Sequence, residues 1–117
     1  MREARLSFPK RARLRKRPEF LNLSRWGKKI HAPNFVIIIR PNNQGETRLG
    51  VTVSAKVGNA VVRNRVKRLI RECFRQHRQQ IVPSKDVLII ARKGAASLSF
   101  SQVESEFRKA VVETGSR

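Results

Sequence analysis

Residues 57–74 read VGNAVVRNRVKRLIRECF. On a 3.6-residue period Val62, Val66, Leu69, Ile70, Cys73 and Phe74 gather along one side, which is the apolar stripe of a helix lying on a core. Asn64, Lys67, Arg68, Arg71, Arg75 and Arg78 take the other side, with Arg63 and Arg65 flanking them near the start. Glu72 is the sole acid of the stretch. Like charges one turn apart repel by roughly 0.2–0.5 kcal/mol per pair. Lys67–Arg71 and Arg71–Arg75 therefore stack cations with no obvious internal answer. Such a face suits a counter-charge supplied from outside, and the natural polyanion is nucleic acid.

Outward from this helix the chain alternates strands and helices. Upstream, Phe35–Arg40 is a strand by β-branched content, and Pro41–Gly45 has turn chemistry. Thr47–Ser54 alternates as a returning hairpin strand would. Asn59 stands where an N-cap belongs, and the helix runs to about His77. Downstream, Asp86–Ala91 is apolar on both faces and reads as a central strand. Ser99 and Gln102 form a capping box for a last helix carrying Phe100, Val103, Phe107 and Val111. Before the first strand, Pro18 opens a short helix stopped by Gly27, with room for one more short strand near residue 30. The order is α-β-β-α-β-α, an α+β fold of the α/β-sandwich kind with helices packed on a small sheet. One domain over 18–113 is expected, with a basic, flexible or extended arm at 1–17 and a tail at 114–117.

The 117 residues carry 27 Lys+Arg against 8 Asp+Glu, a net charge of +19. A field of that sign attracts nucleic acid or anionic membrane. Membrane is the weaker reading, because no apolar run approaches the ~20 residues of a spanning helix. No signal-peptide core follows the basic start either. The single cysteine, Cys73, excludes an internal disulfide and falls on the apolar stripe, in keeping with a reducing cytoplasm. The 39% hydrophobic content indicates a folded body rather than a disordered basic tail.

The helix start sharpens the nucleic-acid reading. Its unpaired N–H groups and partial positive charge suit a phosphate, and Lys56, Arg63 and Arg65 surround that end. Such contacts grip backbone and carry no base code. A protein nuclease would need clustered carboxylates for metal ions or a histidine-based acid–base pair. The acids here are scattered. His31 is far in sequence from any of them, and His77, near a helix end, suits a buried or capping role. No catalytic residue and no metal ligand is expected in the chain. Phe20 reads as core or as a stacking platform, and Trp26, beside Gly27, as half-buried packing at a helix end.

GNAVVRNRVKRLIRE (residues 58–72), preceded by VSAKV and followed by DVLIIARKGA, resembles the bacterial ribonuclease P protein subunit. Arg63-Asn64-Arg65 corresponds to that family's signature at the head of a long basic helix. The likeness extends over roughly residues 10 to 112, through Arg13-Leu14-Arg15 before Phe20, the Arg48-Leu49-Gly50-Val51 strand and the Ile90-Ala91-Arg92-Lys93 strand end. It implies a ribosomal protein S5 domain 2-like fold with a left-handed βαβ crossover, against the usual right-handed rule. It implies as partners a large catalytic RNA, ribonuclease P RNA, and precursor tRNA, whose 5′ leader the ribonucleoprotein removes in the cytoplasm. Mg²⁺ would act through the RNA, with no organic cofactor and no obligate protein partner.

Carried over by position, Arg13, Lys56, Arg63, Asn64, Arg65 and Arg68 would face the RNA subunit. Phe20, Val36, Ile38, Thr52, Lys67 and Arg71 would line a cleft for the single-stranded leader, since exposed rings stack on bases while cations pair with phosphates. Ser24 and Ile38 stand where relatives often carry further aromatics, and Ala55 where a lysine is common, so this cleft has less stacking surface. The reading from another class is a structural nucleic-acid protein, ribosomal or DNA-compacting. A compactor would ignore a single-stranded 5′ extension, whereas a leader-cleft protein would gain affinity from it.

Overall fold

The computed structural model describes residues 10–113. Its elements are α1 (Arg17–Trp26), β1 (Lys28–His31), β2 (Phe35–Pro41), β3 (Arg48–Thr52), α2 (Ala60–His77), β4 (Lys85–Ala91) and α3 (Phe100–Phe107). Short 3₁₀ turns occur at Lys10–Ala12, Arg78–Gln80 and Lys93–Ser97, and α3 continues into a π-helical turn over Arg108–Glu113. Both ends of the expected domain plan, residues 1–9 and 114–117, lie outside the described residues.

The four strands form one sheet in the order β1-β2-β4-β3. β2 is antiparallel to β1 and to β4, whereas β3 runs parallel to β4. This corrects the hairpin expected for 35–40 and 47–54. β2 and β3 share no ladder, because β4 inserts between them with Val36 opposite Ile90 and Ile90 opposite Thr52. The physical reason is burial. β4 offers apolar side chains to both faces, and only a central position covers both. The short strand near residue 30 is present as β1.

The two faces of the sheet are packed unequally. Phe35, Ile37, Ile39, Leu49, Val87 and Ile89 point to the main core, where Val66, Ile70, Cys73 and Phe74 of α2 meet Val103 and Phe107 of α3. The Phe74 and Phe107 rings meet edge to face at 6.4 Å between centroids. The alternate residues, Ile38 and Leu88, face the other way and form a smaller cluster with Leu14 and Leu23, against which Phe20, Val36 and Ile90 pack. α1 thus lies across the face opposite α2.

α1 is tied down by one arginine. Arg48 donates Nε (2.8 Å) and Nη2 (2.7 Å) to the two carboxylate oxygens of Asp86 and Nη1 (2.9 Å) to Glu19. The fork geometry suits a bidentate carboxylate. The Asp86 hydrogen bond is the largest of the effects that raise the Arg48 pKa above its ordinary value. Asn42 Nδ2 adds a donor to Asp86 at 2.9 Å. The basic segment ahead of α1 is also docked: Leu14 N–H donates to the Leu49 carbonyl, Arg13 pairs with Leu49 in a parallel bridge, and Ala12 and Leu14 are buried. The outer edge of β3 is thereby covered by residues of the arm.

Candidate nucleic-acid interface

α2 begins as its sequence dictates. Asn59 Oδ1 accepts the Val62 N–H at 3.0 Å, closing the first turn. Arg63 turns back and donates Nε to the Gly58 carbonyl at 3.2 Å. Arg65 reaches to the segment after β4, donating Nη1 to Ala96 O (3.2 Å) and Nη2 to Leu98 O (2.6 Å). Of the Arg-Asn-Arg triplet, the two arginines are engaged in holding the helix head and only Asn64 is exposed. Lys56 is exposed in the loop before the helix.

Arg13, Asn64, Arg68, Arg71, Glu72 and Arg75 line an open groove of about 500 Å³ along the outer side of α2. Residues 64, 68, 71 and 75 recur at the spacing of one helix face. Arg13 arrives from the arm, fixed there by its bridge to Leu49. The apparent lack of an internal carboxylate is corrected here: Glu72 accepts Arg75 Nη2 at 2.5 Å, Arg75 Nε at 3.1 Å and Gln76 Nε2 at 2.8 Å. The Arg75 hydrogen bond, then that of Gln76, holds the Glu72 carboxyl below its usual range. With Glu72 answered by Arg75, Arg68 and Arg71 set the charge of the groove. Arg78, read from the wheel as part of the cationic face, instead packs at the helix end and donates to Glu46 at 3.1 Å, as Arg11 also does.

The second surface lies on the α1 side of the sheet. Registers align His31, Val36, Ile90 and Thr52 as one row across all four strands, and Lys29, Ile38, Leu88 and Gly50 as the next. The second row is roofed by α1. Leu23 sits over Ile38 and Leu88, and Ile38 is only 1% exposed, so it supports the surface from beneath rather than offering itself to a ligand. Phe20 fills the space that Gly50 leaves; a Cβ there would come within 2.8 Å of the ring. The first row remains open. Thr52 is exposed, and Val36 and Ile90 are half-buried. Glu19 marks the α1 flank turned towards Arg48. Phe20, Ser24 and Arg17 fall on the other flank, which faces the open row.

The residues carried over as one cleft are therefore distributed. Phe20, Val36 and Thr52 share the α1 side, Ile38 lies under it, Arg71 lines the groove with Arg13, Asn64 and Arg68, and Lys67 is a half-buried residue of α2. Ile90 and Arg17 escaped the sequence reading. Ile90 reaches the face through the β4 register, for which local pattern holds no signal, and Arg17 through the way α1 is laid across the sheet. Among the described residues no three His, Cys, Asp or Glu side chains cluster to hold a metal ion, and no helix is long and apolar enough to cross a membrane. His77 bonds to Glu104 at 2.8 Å and Gln80 at 3.2 Å, joining α2 to α3.

The sequence family described as Ribonuclease P is matched over residues 8–115. The ribonuclease P protein component of Citrifermentans bemidjiense is 46% identical over 104 residues, 89% of each chain. Among solved structures, the RNase P protein of Staphylococcus aureus superposes with a TM-score of 0.77 at 34% identity, covering 88% of this chain and 94% of that one. The RNase P protein of Thermotoga maritima gives 0.78 at 32% identity, covering 86% and 96%.

Proposed function

Because the chain belongs to the ribonuclease P protein family, we propose that it is the protein subunit of that ribonucleoprotein, holding the catalytic RNA on one surface and the single-stranded 5′ leader of precursor tRNA on another. The observation that carries the division is the chemical contrast between the two. The α2 groove has arginines and no exposed ring, which suits the phosphates of a folded RNA. The face of Phe20, Val36, Ile90 and Thr52 has apolar surface with Arg17 beside it, which suits unstacked bases.

Arg71 joins Arg13, Asn64 and Arg68 in the RNA-subunit set. Arg63 and Arg65 act there mainly by holding the helix head, and Lys56 adds charge beside it. Lys67 stays with the leader, together with Phe20, Val36 and Thr52. The protein contributes binding and orientation, which turns a loose encounter into a positioned one. Mg²⁺ would supply the metal-ion chemistry through the RNA subunit, and the reaction takes place in the cytoplasm.

The test is cleavage of precursor tRNA by a bacterial ribonuclease P RNA at low Mg²⁺, with and without this protein, on substrates with a long leader and with a one-nucleotide leader. Protein-dependent cleavage that favours the long leader supports both surfaces. Stimulation indifferent to leader length would retire the leader surface and keep the RNA-subunit groove. No stimulation at all would return the chain to a structural nucleic-acid role.

A further inference from the structure

Trp26 was expected to be half-buried, and it is 65% exposed at the end of α1. An indole standing in water forgoes most of its burial energy, and single exposed apolar residues often mean nothing. Here the surroundings are specific. Trp26 stands two turns beyond Glu19 and so shares its flank of α1, the side away from the leader face. Gly27, the next residue, lies tight against Ile38 and the Ile39 carbonyl, which brings Trp26 to the end of β2 that carries Arg40.

The charge around it has one sign. The two acids of this flank, Glu19 and Asp86, are both held by Arg48. Arg25, Lys29 and Arg40 are exposed, and none of them forms an ion pair among the described residues. A bare indole on the same side as unanswered cations has the chemistry that stacks a base and pairs its phosphates. A protein partner would have to bring an acidic surface to these cations and an apolar contact for the indole. Single-stranded RNA brings both at every nucleotide.

We propose that Trp26, with Arg25, Lys29 and Arg40, forms a second single-strand RNA site, separate from the leader face across α1. Trp26 and Phe20 are about 9 Å apart along the helix axis at 1.5 Å per residue, and they point to different flanks. One strand cannot stack neighbouring bases on both. The Trp26 site takes a segment of RNA distinct from the nucleotides next to the cleavage point.

The chain has one tryptophan and no tyrosine, so its emission reports on this site alone. The experiment titrates the full-length protein with a ten-nucleotide single-stranded RNA and with a duplex of equal length, following Trp26 emission. A labelled copy of the oligonucleotide then measures affinity for the wild type, Trp26→Leu, Phe20→Leu and the double variant. The expected result is saturable quenching by the single strand and not by the duplex, retained in Phe20→Leu. Trp26→Leu should lose about tenfold in affinity whether or not Phe20 is present, given typical base-stacking energies. Unchanged emission, or equal affinity of wild type and Trp26→Leu, would overturn the proposal. Because the probe is a free oligonucleotide, this result stands or falls independently of holoenzyme cleavage.

Discussion

Arg65 on α2 and Leu98 before α3 are joined by a 2.6 Å hydrogen bond from a guanidinium to a main-chain carbonyl, and Ala96 accepts a second at 3.2 Å. An arginine in a motif suited to RNA thus holds the protein to itself. Arg65→Ala should cost about 1.5–3 kcal/mol, the range for hydrogen bonds to a charged donor. Urea denaturation would measure it. RNA-subunit affinity should fall through a disordered helix head, with the slope of log K against log salt nearly unchanged.

Arg68→Ala should behave in the opposite way. Arg68 is exposed in the groove and makes no side-chain hydrogen bond among the described residues, so stability should move little. The salt slope should drop by about one counterion, and affinity with it. Comparing the two arginines at several salt concentrations separates a phosphate contact from a structural tie. Equal slopes for both variants would refute the distinction.

Gly50→Ala tests the leader face without removing any of its side chains. The new methyl would press on the Phe20 ring and on Leu14 Cβ, 3.2 Å away. Phe20 must then lift from β3. The expected outcome is a smaller advantage for long-leader substrates, with RNA-subunit affinity preserved, in the cleavage assay.

Burial pushes the Cys73 thiol up to about 12. Since the thiolate is the reactive form, the folded protein at pH 8 should resist a disulfide reagent and take up one equivalent only after unfolding. Rapid labelling of the native chain would show that α2 does not seal the core as described.

Glu72 gives a pH signature of known sign. Its carboxyl is held below the usual range by Arg75, so its contribution to stability is present above the unfolded glutamate value of about 4.3 and disappears as pH falls through the lowered folded value. Glu72→Gln should therefore be less stable than wild type at neutral pH and converge with it in acid. The pair is partly exposed, so the gap should be small and should shrink in high salt.

Much of the frame was legible from local pattern. The stripe of Val66, Ile70, Cys73 and Phe74, the Asn59 cap and the Ser99–Gln102 box each follow from rules acting within a few residues, and each is found. What eluded the sequence depends on contacts between distant segments. The place of β4 between β2 and β3 is decided by which strand can bury two faces. The roles of Arg65 and Arg78 are decided by carbonyl and carboxylate partners some thirty positions away. Leu14, lost in a run of arginines, gave no period to detect, yet it seals the β3 edge. Trp26 was misjudged because an indole is usually at least half covered, and nothing local states what is missing around it.

The insertion of β4 also fixes when this molecule can become itself. During synthesis β2 and β3 emerge early but share no ladder with each other, and α2 follows with its apolar stripe awaiting a sheet. Only β1 and β2 can pair as a local hairpin. The rest must wait for residues 85–91 to slide between strands already made, a late and long-range closure of the slow kind. Until then a highly charged chain exposes apolar segments, and its mutual repulsion of +19 serves as protection against premature association. Hydrogen-exchange labelling during refolding should find β3 protected no earlier than β4.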